Sequence, residues 1–311
     1  MNVKMETYRS DIAARRCPLR GRGFAPWLTA FVFAVALLAS CGGESEAQKR
    51  AEAMAADSAA LKIATMPTLD CLPLYVARQY GLHDSLGIDM RLVPFVAQMD
   101  QDTAMLKGRV EAMFTDTVRA GRMERVQHKR LRRIVATPLH WLLMTPDSSR
   151  VRELKQIDDK LVAMTRYSAT DMLTRMAADS ARTDNDRIYR IQVNDVHVRY
   201  DMMMSSMVDA AWLPEPHATV ARKAGCRQLF SSRGKLEAGV LVVSDSLMSD
   251  STRRWQVERM AELYNRGVDS IARHGLTHYA SLISQYCGVE PDMLSDLPRT
   301  VKYEKARPAV K

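Results

Sequence analysis

The side chains best placed for chemistry in this chain stand where a predicted strand gives way to a predicted helix. Thr68, Leu69 and Asp70 follow an apolar run at 61–65, Thr115 and Asp116 follow one at 112–115, and Arg166, Tyr167, Ser168 and Thr170 follow one at 161–164. In α/β sheets ligands collect at the carboxyl ends of strands, often against the N–H groups of a helix start. The hydroxyl-rich run at 166–170 suits the oxygens of an oxyanion. A bare carboxylate at Asp116 repels such an anion and suits an amine or another polar group. Each position also has a plainer use, since Asp70, Asp116, Ser168 and Thr170 are good N-cap residues. The seven histidines, His83, His128, His140, His197, His217, His274 and His278, form no motif; only His217, just after Glu215-Pro216, falls near such a loop. An enzyme would need an activated nucleophile or an acid–base pair, and the sequence presents neither. It also holds no glycine-rich phosphate loop and no Cys or His at metal-ligand spacing, so no cofactor is expected.

One further reactive group is the thiol of Cys41. Residues 1–23 carry Lys4, Arg9, Arg15, Arg16, Arg20 and Arg22 against Glu6 and Asp11, and an uncharged run extends from Phe24 to Ser40. A basic start, a short apolar stretch and a small-residue end is the layout of a secretory signal. Its apolar part falls short of the roughly 20 residues of a membrane span. Leu38-Ala39-Ser40-Cys41, followed by Gly42-Gly43, resembles the lipobox of bacterial lipoproteins. That resemblance implies removal of residues 1–40, lipid on the Cys41 sulfur, and a protein held on a membrane of the cell envelope, facing the periplasm or the exterior.

The formal charge of +9 for the 311 residues falls to about +5 on this reading, because six basic and two acidic residues leave with the signal. Export leaves nucleic acid out as a partner. The densest basic stretch, Arg119, Arg122, Arg125, Lys129, Arg130, Arg132 and Arg133, reads as a solvated helix face or as a contact for anionic lipid or a partner protein. Of the five cysteines, Cys71, Cys226 and Cys287 remain for the body, which allows at most one disulfide. Trp212 reads equally well as packed core, a buried small residue is the better reading of Cys71 than thiol chemistry, and core packing is the simpler account of the Met202-Met203-Met204 and Met207 cluster.

Residues 41–60 are rich in Ala, Glu, Ser and Gly and read as a tether. From Leu61 short apolar runs alternate with amphipathic stretches. Strands are predicted near 61–65, 89–95, 112–115, 133–137, 140–144, 161–164, 188–193, 210–212, 228–230 and 238–243. Helices are predicted at 72–80, 99–107, 117–129, 151–156, 170–181, 197–207, 216–224, 250–274 and 276–286. This alternation predicts an α/β fold with mostly parallel sheets.

Two blocks carry a family resemblance. The first is Leu61–Leu82, with Pro67, Asp70 and Pro73-Leu74-Tyr75-Val76-Ala77, continuing through Gly87-Ile88-Asp89 and on to Leu106-Lys107-Gly108-Arg109-Val110-Glu111-Ala112-Met113-Phe114-Thr115. The second is Met207-Val208-Asp209-Ala210-Ala211-Trp212-Leu213-Pro214-Glu215-Pro216, with Gly239–Leu247 beyond it. Their order and spacing resemble the periplasmic solute-binding proteins of the aliphatic-sulfonate, taurine, nitrate and thiamine-precursor group. The resemblance implies a two-lobed α/β fold of the type II periplasmic-binding-protein kind, with a ligand cleft between the lobes. It places lobe 1 at 61–140 and 236–311, lobe 2 at 141–235, and Trp212 and Glu215 in the cleft as an aromatic and an acidic contact. The expected activity is capture of a small polar solute by hinge closure and its delivery to an ABC transporter permease. The alternatives are an enzyme on the same fold acting on a pyrimidine-like molecule, and a sensory lipoprotein.

Overall fold

The computed structural model describes residues 59–298 and 301–307, together with Arg50. The signal at 1–40, Cys41 and nearly all of the tether at 41–60 lie outside the described residues. Among the described residues no helix is long and apolar enough to cross a membrane.

Two five-stranded sheets organise the described chain. β1 (Leu61–Thr65), β2 (Met90–Pro94), β3 (Ala112–Asp116), β4 (Leu131–Thr137) and β10 (Gly239–Ser244) form the first, in the order β2-β1-β3-β10-β4. β5 (Trp141–Thr145), β6 (Lys160–Met164), β7 (Ile188–Gln192), β8 (Ala210–Pro214) and β9 (Arg227–Ser231) form the second, in the order β7-β6-β8-β5-β9. Burial follows position: β3 and β10 in one sheet and β5 and β8 in the other are buried at every residue. The edge strands β2, β7 and β9 keep exposed or half-buried residues. Central strands covered by helices on both faces read as continuous apolar runs, and Gly-Val-Leu-Val-Val-Ser at β10 is such a run.

Four strands of each sheet run in one direction, as the alternation predicts, and one is reversed. β1 pairs in parallel with β2 and β3, and β6 with β7 and β8. β10 runs antiparallel to β3 and β4, and β5 runs antiparallel to β8 and β9. The cause is the chain path. β5 enters the second sheet directly from the first, and β10 enters the first directly from the second. Each therefore starts at the junction where its neighbours end.

Eight α-helices among the described residues flank the sheets: α1 (Leu72–Gln79), α2 (Gln98–Leu106), α3 (Thr117–Val126), α4 (Ala169–Ala181), α5 (Val196–Met204), α6 (His217–Lys223), α7 (Ser251–His274) and α8 (Ala280–Cys287). The helix expected at 151–156 is only a 3₁₀ turn at Leu154–Ile157, and the one expected at 276–286 divides into a 3₁₀ turn at Leu276–Tyr279 and α8. α7 lies so close to α1 that a Cβ on Gly267 would sit 2.0 Å from the Pro73 carbonyl oxygen, so glycine is required there. Separate apolar cores result. Leu143, Val162, Trp212 and Phe230 belong to the one around the second sheet; Leu61, Phe114, Leu241 and Tyr264 belong to one on a face of the first.

Three readings of composition change on contact with the fold. Arg119 is buried and ion-paired with Asp102, and Arg122 lies 4.2 Å from the centre of the Tyr167 ring, so the first part of the basic stretch serves the interior and the junction. Met203 is core, whereas Met204 and Met207 are exposed. Cys71, Cys226 and Cys287 are buried free thiols.

Candidate functional site

The strand-end loops of the two lobes meet along a seam. Leu69 N–H donates to the Glu215 carbonyl oxygen at 3.1 Å. An Arg119 guanidinium N–H donates to the Arg166 carbonyl oxygen at 3.5 Å, and Ala97 pairs with Asp195 in an isolated antiparallel bridge. Asn194 Nδ2 lies 3.3 Å from Met99 Sδ. The two lobes thus touch directly.

After β1, Thr68 Oγ1 donates to Asp70 at 2.5 Å and Thr137 Oγ1 donates to it at 2.9 Å. Asp70 therefore ties the loop to the end of β4, where the chain crosses to the second lobe. It does not cap α1; that helix is preceded by Cys71 and has no side-chain cap. Burial pushes the Asp70 carboxyl up, against the pull of the two hydroxyls. The loop is braced from behind by the C-terminal part of the chain. Tyr286 Oη donates to the Thr68 carbonyl at 3.2 Å and Tyr303 Oη to the Leu69 carbonyl at 2.7 Å. The Leu69 side chain packs with Leu72 and Ile283. Burial raises the Cys71 thiol well above its ordinary value, which keeps it un-ionised and unreactive.

After β3, Thr115 is buried and Asp116 caps α3, accepting the Arg119 backbone N–H at 2.9 Å. Gln98 Nε2 approaches the same carboxylate at 3.4 Å. After β6, Ser168 caps α4 by accepting the Thr170 N–H at 3.1 Å, and Thr170 Oγ1 accepts the Thr165 N–H at 3.0 Å. Arg166 and Tyr167 remain exposed beside them.

At β8, Trp212 is fully buried, donates from its indole nitrogen to Thr174 Oγ1 at 2.9 Å and meets Phe230 edge-on. It packs in the second lobe's core. The Glu215 carboxylate is occupied within its own lobe by Arg222 at 2.6 Å and by the Thr219 N–H at 2.9 Å. The fold thus gathers Thr68, Leu69 and Asp70 against Glu215, and Asp116 against Arg166 and Tyr167 through Arg119 and Arg122. Trp212 stands apart.

Several side chains at this junction carry no strong sequence signal. Gln98 opens α2 just after β2, Thr137 ends β4, and His197 lies in the first turn of α5 just after β7, so the strand-end rule extended to every strand finds them. Arg199 has no such signal. It is fully buried in α5 and donates to the Trp212 carbonyl, the Thr165 hydroxyl and the Val193 carbonyl, each at 2.7 Å, with its charge 5.5 Å from the Trp141 ring centre. One guanidinium thereby binds together the ends of β6, β7 and β8. Burial draws its pKa down to about 9. His217 is buried at the start of α6 with no partner on either ring nitrogen and its ring edge-on to His197, whose Nε2 donates to the Cys287 carbonyl at 2.7 Å.

A family model described as NMT1/THI5 like matches residues 68–274, more than half of the chain. The chain belongs to the NMT1/THI5-like family. None of the curated proteins matches it. Among solved structures, this NMT1/THI5-like chain is similar to the alkanesulfonate-binding protein SsuA from Xanthomonas axonopodis pv. citri. The identity is 17%, 76% of this chain and 82% of that one are covered, and the TM-score is 0.63. It is also similar to the periplasmic nitrate-binding protein NrtA from Synechocystis, at 11% identity, with 76% and 68% covered and a TM-score of 0.64. A desulfurization enzyme, DszB, is similar at 12% identity, with 79% and 86% covered and a TM-score of 0.56. At these identities the likeness establishes the fold, the two-lobed α/β architecture of the periplasmic binding proteins.

Proposed function

We propose that this NMT1/THI5-like protein captures a small polar solute between its lobes and delivers it to an ABC transporter permease. In this reading the lobes, 61–140 with 236–311 and 141–235, move as bodies about the two crossings. The solute contacts come from the loops bearing Thr68, Leu69, Asp70, Thr115, Asp116, Arg166, Tyr167, Ser168, Thr170 and Glu215, with Trp212 supporting from the core. Lipid on Cys41 holds the protein at the cell envelope, where the permease stands. The observation that carries the reading is the meeting of strand-end loops from both lobes along one seam, with only two short connections behind it as a hinge. Hinge closure over a ligand is the motion such a layout allows.

The fold is shared with an enzyme, yet at this junction neither His197 nor His217 is hydrogen-bonded to a hydroxyl or thiol it could activate. His217 has no partner, His197 is committed to a backbone carbonyl, and the Cys71 and Cys287 thiols are held un-ionised by burial. Thermal unfolding of the purified full chain with sulfonates, nitrate, pyrimidines, amino acids and polyamines tests the proposal. A solute bound by the native state alone is expected to stabilise it by about 2.7 kcal/mol at a hundredfold excess over its Kd. Chemical turnover of a panel member would instead establish the enzyme reading.

A further inference from the structure

The buried surroundings of Asp116 hold more unpartnered hydrogen-bond acceptors than unpartnered donors. Asp116 is fully buried between the starts of two helices, one from each lobe. It accepts from the Arg119 N–H and from Gln98 Nε2, and the Ala169 N–H at the start of α4 on the opposite lobe adds to the positive field on its carboxylate. Burial pushes the Asp116 carboxyl up, while the Arg119 charge and these N–H donors favour its ionised form. A position between helix starts is where a dissolved oxyanion would settle. Here the chain supplies its own anion.

The atoms around it point to what remains to be bound. Gln98 and Gln101 are 6% and 1% exposed, and the Oε1 atom of each has no partner; the Oδ1 atom of Asp102 has none either. These three residues share one face of α2, at spacings of three and four, and all three reach toward the end of β3 and the start of α3. Against the three acceptors stands one unpartnered donor atom, Arg119 Nε. The rest of that guanidinium is taken by Asp102 and the Arg166 carbonyl. A buried acceptor without a donor is costly to the fold, so a ligand that brings donors recovers what the fold leaves unmet.

We infer that Asp116 is a specificity-determining residue of the interlobe site, which excludes oxyanions and selects a solute carrying a protonated amine. An ammonium group brings three donors and the charge opposite to the carboxylate. A sulfonate or nitrate brings only acceptors and a second negative charge, and finds its helix-start N–H groups already used. The inference rests on the proposal of solute capture.

Isothermal titration of the full chain with two cations, putrescine and ethanolamine, and two anions, nitrate and ethanesulfonate, tests it. Asp116→Asn serves as the paired variant, because asparagine also caps helices well and preserves the start of α3. The expected result is that the wild type binds a cation and neither anion, and that Asp116→Asn weakens cation binding at least tenfold. A wild type that binds nitrate or ethanesulfonate and ignores both amines would overturn the inference while leaving solute capture intact. Undiminished amine binding by Asp116→Asn also overturns it. A folded wild type that takes none of the four probes counts against both.

Discussion

Replacing Arg199 by methionine is expected to destabilise the protein by several kcal/mol, since each buried acceptor left without its donor costs about 1–3 kcal/mol. The side chain is fully buried and satisfies the Trp212 and Val193 carbonyls and the Thr165 hydroxyl, all of which remain buried once it is gone. Buried charged groups are often replaceable by apolar ones at little cost when the partners leave with them. That route is closed here, since two of the partners are backbone carbonyls. Arg199→Lys should also destabilise, because a single ammonium cannot reproduce the planar fork that spans three strand ends. Denaturant unfolding measures both variants. A loss under about 1 kcal/mol for the methionine variant would mean that other groups hold these strand ends together.

The second large effect is on pH dependence, through His217. Its pKa falls to about 3, because burial disfavours the cation and His197 and Arg199 add positive charge nearby. An unfolded histidine titrates near 6.5. Below that value the unfolded chain takes up a proton that the folded chain refuses. The stability due to neutral His217 is complete above about pH 6.5 and is lost as the pH falls toward 3. Between pH 7 and pH 5 the loss is about 2 kcal/mol. Asp102 acts in the opposite sense: burial pushes it up to about 6 despite Arg119, so it weakens the fold as the pH rises through that range. The His217 contribution is therefore read as a difference from His217→Phe, a variant that forfeits no hydrogen bond because neither ring nitrogen has a partner. The variant should lose about 2 kcal/mol less than the wild type between pH 7 and pH 5 in paired denaturant unfolding curves. Identical slopes for the two proteins would place the proton elsewhere.

Much of the architecture is written in local pattern. The ten strands announce themselves as short apolar runs, and the two blocks around Pro67–Phe95 and Met207–Pro216 carry the two-lobed resemblance. Strand direction is not written there. β5 and β10 look like any buried strand, and their reversal follows from a chain path that crosses between lobes. The site was legible as loops rather than as contacts. Ser168 and Asp116 cap helices as their types suggest, but Asp70 turns from its helix to the hydroxyls of Thr68 and of Thr137, the latter 67 residues along the chain. Trp212 reads as a cleft wall by family pattern and equally as packed core, and the fold packs it in the core. Arg119 and Arg122 sit in a basic run whose spacing fits a wet helix face; Asp102 and Tyr167, both distant in sequence, draw them inward.

The central claim is that a solute enters the seam when the lobes part. Ala97 and Asp195 face each other across it as a bridged antiparallel pair, the arrangement in which opposed Cα atoms lie within disulfide reach. The most direct test is to join them, as Ala97→Cys with Asp195→Cys, and to measure binding of the solute that stabilises the wild type. The oxidised protein should bind none of it, and reduction should restore binding. An oxidised, lobe-locked protein that binds as well as the wild type would show that the solute lies elsewhere.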